Sequence, residues 1–263
     1  MKDIFKGIQA YSGVFSLMSK LKLWQYFAIP MLISFITAIL IAVAAYGWSD
    51  NIGRFVARIW IWDWGKDTFT YVSSIIGGII ILAIGLILYK HIIMALSAPF
   101  MSPVSEKIEA YLIGNNRIQF RKTSNSSQLW RGIKINLRNL VKELLITIPI
   151  LLLKFIPVVN IFSTVLLFLV QAYYAGFGNM DYTLERHFSY RESIRFARNY
   201  RGVAVGNGII FIGFLLIPII GIILVLPLSV TASSLATVKL LEKEGVYDNL
   251  DAVQAFKSNP NQF

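Results

Sequence analysis

The sequence predicts an all-α integral membrane protein with two long transmembrane helices, two half-penetrating helical hairpins and interfacial amphipathic helices. Three observations predict it. Apolar residues make up 56% of the chain and charged ones only 15%, a balance that excludes most soluble folds. Uncharged stretches exceed what a core helix of a globular domain needs, since a hydrocarbon core of about 30 Å takes about 20 apolar residues as helix. No strand-like alternation of apolar and polar residues is present.

The elements follow in chain order. Residues 1–21 form an interfacial helix, because Ile4, Phe5, Ile8, Tyr11, Phe15 and Met18 make an apolar stripe at helical spacing. The segment lacks the unbroken apolar centre and small-residue cleavage site of a secretory signal peptide. Residues 22–48 are the first span, uncharged from Lys22 to Asp50. The second, residues 68–113, is uncharged from Asp67 to Lys90 and continues past the membrane surface through His91 and Met94. Pro99 is expected to break it, Ser102 and Pro103 to restart it as N-cap and first helical residue, and Gly114 to end it. Asn115 to Gln128 is polar and reads as a loop.

Residues 129–180 and 189–240 each read as a basic helix followed by a hairpin. The apolar runs are too long for one crossing and too short for two. Their centres match: "FIPVVNIF" (Phe155 to Phe162) and "LIPIIGII" (Leu216 to Ile223) each place Ile-Pro, two aliphatics and a turn residue at the middle. Asn160 or Gly221 is expected to open the returning helix. Ahead of the first hairpin, Arg131, Lys134, Arg138 and Lys142 share one helix face, and Leu129, Ile133, Leu137, Leu140 and Leu144 share another. Arg191, Arg195, Arg198 and Arg201 repeat the basic face, with Ser189 and Glu192 as a capping box and Gly202 placed to end the helix. These cations suit lipid phosphates at a membrane surface, and equally an electropositive vestibule that concentrates anions. Residues 241–263 are the C-terminal tail, whose last residues read as disordered.

Orientation follows from lysine and arginine placement. The N-terminal segment carries four, Lys90 to Lys142 nine, Asp181 to Arg201 five and the tail from Lys239 three. The loop from Trp48 to Asp67 carries Arg54, Arg58 and Lys66, offset by Asp50, Asp63 and Asp67. That loop is therefore external, with Trp48, Trp60, Trp62 and Trp64 as an interfacial belt, and both termini are cytoplasmic.

Little else in the chain suggests chemistry. It has no cysteine, so disulfides, thiol nucleophiles and thiolate metal sites are excluded. His91 and His187 lack ligand-spaced partners, so no metal or other cofactor is expected. No phosphate-binding loop follows a strand, and Gly202, Gly206 and Gly208 are expected to permit close helix contact instead. Positive-inside loops account for the excess of 25 lysines and arginines over 14 carboxylates without a nucleic acid partner. No catalytic residue is assigned, and an enzyme is not expected.

"SAPFMSPVSEKIE" (Ser97 to Glu109), "FIPVVN", the "MDY" of Met180 to Tyr182 and the basic helix after it resemble, in order and spacing, the CysZ sulfate permease family. That family belongs to the etoposide-induced protein superfamily. The likeness runs from about Met1 to Lys239, and its most specific piece is Ala98-Pro99-Phe100 followed by Glu106. It implies a bacterial inner-membrane protein, a homo-oligomer in contact with lipid, that admits sulfate or a related anion for cysteine synthesis. It also makes Glu106 a candidate pore-side group. One element differs. Where the resemblance implies a Gly-hydrophobic-Arg sulfate-binding element, this chain has Lys22, Leu23, Trp24 and Gln25. Lys20 and Lys22 are the nearest cations, point charges without the planar fork of a guanidinium.

Within the first hairpin, Lys154 is the one charge, and the amides after Asn160 carry partial positive charge toward the same place. Together they are a candidate transit site for an anion, as in transporters whose broken helices point N-termini at a substrate. An alternative to conduction is a hairpin protein that shapes the bilayer or scaffolds other membrane proteins.

Overall fold

The computed structural model describes residues 2–58, 65–114, 124–153, 156, 159–217 and 219–248. Among the described residues ten α-helices run in order: α1 (Lys2–Gln9), α2 (Val14–Lys20), α3 (Ala28–Ala57), α4 (Lys66–Leu96), α5 (Ala98–Ile113), α6 (Asn125–Leu153), α7 (Val159–Leu184), α8 (Tyr190–Asn199), α9 (Arg201–Leu215) and α10 (Ile220–Lys243). A 3-10 turn, Leu23–Tyr26, precedes α3. The protein is thus an all-α membrane protein. Helices α3, α4, α7 and α10 are long and apolar enough to cross a bilayer.

Helices α3 and α4 pair along their lengths as the two long spans. Helix α3 starts at Ala28 and extends to Ala57, past the expected end at 48, so Ser49, Asp50 and Arg54 lie on helix. Trp60, Trp62 and Trp64 fall outside the described residues. The two hairpins are α6–α7 and α9–α10. Helix α9 has 15 residues, about 22 Å at 1.5 Å per residue, which is short of the hydrocarbon thickness. Around the turns Ile161, Phe162 and Leu216 are 71–75% exposed, so the tips present apolar side chains outward, as lipid requires.

Other boundaries also differ from expectation, and α6 begins at Asn125, inside the expected loop. The N-terminal helix is divided at Gly13, whose φ is +80°, and its stripe is shared between two solvents. Val14 and Met18 are buried in protein while Phe5 and Phe15 stay exposed. The break after α4 falls at Ser97, leaving Pro99 in the first turn of α5 and Pro103 inside it; a proline costs nothing where the amide has no helical partner. Gly202 does not end a helix. The break lies at Tyr200, and Gly202 sits in the first turn of α9 against Asp3 and Ile4 of α1. Asn160 is the second residue of α7, and its amide donates to the Ile156 carbonyl. The Ser189–Glu192 capping box forms as expected.

Helix α6 has, besides the basic and apolar faces expected of it, a third face that is buried in protein. Its buried positions are Gly132, Ile135, Asn136, Asn139, Glu143, Thr147 and Ile150. Leu137, Val141 and Leu145 point outward instead, and Leu137 is 59% exposed. In a bilayer the apolar face belongs to lipid and the polar face must be satisfied by neighbouring helices. The hairpins meet through small residues. A Cβ at Gly208 would lie 1.8 Å from the Ala172 carbonyl oxygen, and one at Gly176 equally close to that of Ala204, so α7 and α9 touch backbone to backbone.

Candidate functional site

Two carboxylates hold the polar interior together. On the inward face of α6, Glu143 is fully buried and receives Lys90 of α4, whose Nζ donates to Oε1 at 2.7 Å. His91 Nε2 lies 3.1 Å from the other oxygen. Lys90 is itself only 2% exposed. An ammonium so buried in protein is tolerated because a carboxylate faces it. Around this pair the α6 stripe continues with Asn139 and Thr147, both buried, whose Nδ2 and Oγ1 have no hydrogen-bond partner among the described residues. Spacings of three, four and four from Asn136 through Asn139 and Glu143 to Thr147 put all four on one line down the helix.

Glu109, on α5, is the second anchor. Arg186 donates to its Oε2 from Nη2 at 2.6 Å and from Nε at 3.0 Å. Tyr247 donates to Oε1 at 2.6 Å, and His187 Nε2 bonds the same oxygen. Burial pulls this carboxyl upward, and its bonds to His187 and Tyr247 with the Arg186 charge outweigh that, holding it below the ordinary glutamate range. Arg186 Nη1 also donates to Ser105 Oγ and the Tyr182 carbonyl. Helix α5, the end of α7 and the segment after α10 are thereby tied at one point. Nearby Glu185 is buried with Oε1 unbonded among the described residues. Its desolvation and the adjacent Asp181 charge push its pKa up to about 8.

A cleft opens beside the α6 stripe. About 500 Å³ in volume, it is bounded by Arg138 and Ile146 of α6, Leu166, Leu169, Val170, Tyr173 and Tyr174 of α7, Arg198 of α8, and Arg201 and Val205 of α9. Three cations from three helices converge here with two tyrosines. The Arg138 guanidinium sits 5.9 Å from the Phe177 ring and donates to Asn139 Oδ1 at 2.9 Å.

The other expected site residues are dispersed. Arg131 is neutralised by Asp181, to which Nη2 and Nε donate at 3.0 and 3.1 Å, and it also donates to Ser193. Lys134 lies over the Tyr190 ring, while Lys142, Arg191 and Arg195 are exposed. Lys20 donates to the Tyr111 hydroxyl at 2.8 Å. Lys22 is exposed in the left-handed region at φ +53°. Glu106 is exposed, and the carboxylate that holds an arginine is Glu109, one helical turn later. Asn160 is exposed near the tip. Lys154 lies outside the described residues.

Lys90, His91, Glu109, Glu143, Arg186 and His187 were not singled out by the sequence as site residues. A signal existed: Asn136, Asn139, Glu143 and Thr147 recur at helical spacing within a helix that enters an apolar run. The histidines were weighed only as metal ligands, whereas each partners a buried carboxylate.

The family model described as Sulfate transporter CysZ/Etoposide-induced protein 2.4 matches residues 10–226. No curated protein matches the chain.

Proposed function

Because the chain belongs to the Sulfate transporter CysZ/Etoposide-induced protein 2.4 family, we propose that it is an anion permease of the bacterial inner membrane, carrying sulfate inward for cysteine synthesis. In this reading both termini are cytoplasmic, the protein is a homo-oligomer, and it is not an enzyme. The observation that carries it is Lys90, an ammonium buried between the helices and held by Glu143. Ionisable groups buried between the helices of membrane proteins mark ion paths. Exposed Lys134, Lys142, Arg191 and Arg195 raise the local anion concentration. Lys90 then offers positive charge to an anion that competes with Glu143 for it, and Asn139 Nδ2 and Thr147 Oγ1 supply polar contacts along the same stripe.

Purified protein in liposomes tests the reading. Sulfate flux should scale with protein content. Lys90→Met alone strands a buried carboxylate at a cost of about 3–5 kcal/mol, so the informative variant is Lys90→Met with Glu143→Gln, which removes both charges. It should fold and lose at least about tenfold in sulfate flux, equivalent to about 1.4 kcal/mol of barrier. Full flux in that folded variant overturns the role of Lys90.

The exposed apolar tips support a second reading, a hairpin protein that wedges one leaflet. No flux from the wild type, together with altered vesicle shape, would establish it.

A further inference from the structure

We propose that the cleft between the two hairpins binds an anionic phospholipid, with its phosphate on Arg138, Arg198 and Arg201 and an acyl chain on the apolar wall below. The lining of the cleft divides by chemistry. Of its lining, Arg138, Arg198, Arg201, Tyr173 and Tyr174 lie farther along their helices from the hairpin tips, and Ile146, Leu166, Leu169 and Val170 lie nearer them. Helix α6 runs from Arg138 to Ile146 toward the hairpin tip, about 12 Å at 1.5 Å per residue. Helix α7 covers a similar length between Leu166 and Tyr173. Depth in the membrane therefore increases from the arginines to the aliphatic residues, the polarity profile of a phospholipid from phosphate to chain.

Charge and wall chemistry select the ligand. A guanidinium offers a planar pair of donors to a phosphate, and three of them favour a lipid with net negative charge over a zwitterion. A small inorganic anion would meet the same arginines but would leave the apolar wall unfilled. Basic pockets between membrane helices on the side of the positive loops are a general device for holding anionic headgroups. The volume of about 500 Å³ accommodates a phosphate and the first part of one chain, the rest of the lipid lying in the bilayer. With α6, α7, α8 and α9 all contributing, such a lipid cements the contact between the two hairpins. This inference concerns a lipid and does not depend on conduction.

The probe is phosphatidylglycerol. Protein is purified in a mild detergent, exchanged into nanodiscs of phosphatidylcholine containing a small fraction of phosphatidylglycerol, re-extracted and examined by native mass spectrometry. Wild type should retain phosphatidylglycerol at least about tenfold over its share of the bilayer, and 10 mM sulfate or inorganic phosphate should not displace it (about 1.4 kcal/mol of preference). Arg198→Gln with Arg201→Gln changes two exposed side chains and should abolish the enrichment without unfolding the protein. Leu169→Trp keeps every arginine and fills the apolar wall; it should reduce retention also. Enrichment unchanged in both variants overturns the proposal. Displacement by either inorganic anion at 10 mM also overturns it and assigns the arginines to free anions. These outcomes are separate from the flux measurement, so either reading can fail alone.

Discussion

Individual side chains divide into charges that are answered and charges that are not. Glu109 has Arg186, His187 and Tyr247 around it, whereas Glu185 is buried beside Asp181 with its pKa pushed up to about 8. The two have opposite pH dependences. Glu185 binds its proton more tightly folded than unfolded, so its contribution is intact below the unfolded value of 4.5 and is lost as pH rises toward 8. Glu109, held low, contributes above its unfolded value and loses that contribution as pH falls through its folded pKa. Glu185→Gln should therefore raise the melting temperature in detergent by a few degrees at pH 8.5 and leave it nearly unchanged at pH 4.5. A difference of the same size at both pH values would mean that Glu185 does not hold a proton in the folded protein. Glu109→Gln should destabilise at neutral pH, because it leaves Arg186 buried beside a neutral amide. None of this was legible in the chain. A carboxylate's partner here lies about 75 to 140 residues away in sequence, and helical spacing reports only which residues share a face.

Whole helices were read more successfully than their faces. The two spans, the capping box of α8 and the doubled basic-helix-and-hairpin pattern were all visible, because length, charge-free runs and turn residues are local properties. The buried polar stripe of α6 has no counterpart in the sequence reading. Periodicity finds an apolar stripe but does not say whether lipid or protein lies against it, and in α6 the leucines face outward while Asn139, Glu143 and Thr147 face in. The contact of α7 with α9 was partly legible in Gly208, whereas Gly206 lies against Ile4 and Gly7 of α1. Gly208→Leu should separate these helices, since even a Cβ would meet backbone there, and a loss of folded protein of about 3 kcal/mol or more is expected from overpacking. Gly213→Ala, with open space around it, is the matched control and should be nearly neutral. Melting of the two purified variants checks both.

At the scale of the whole molecule, the question is which ends meet which side of the membrane. A single cysteine at Ser49 should react with an impermeant thiol reagent on intact cells, and one at Ser126 should not; Ser49 is half-buried and Ser126 exposed, both on helices. Labelling of Ser126 from outside would invert the orientation. Ser193 is unsuitable as a reporter, because it is buried against Arg131 from either side. The absence of native cysteine makes the background clean. Burial differs between the halves: 17% and 19% of the apolar windows of α3 and α4 are buried inside the protein, against 67% of that of α10.

The inward polar face of α6 has a consequence for biosynthesis. A nascent chain ending near Leu153 would have to place Glu143, Asn139 and Thr147 against lipid, a poor substrate for lateral release from a translocon. Helix α4, made earlier, already offers Lys90 and His91 as partners for Glu143. The first hairpin is thus delivered onto a docked surface and does not partition alone, and the order of elements along the chain doubles as an assembly order. A permuted chain that places α6–α7 before α3–α4 should stall at the membrane or be degraded, although every contact of the finished protein would remain available to it.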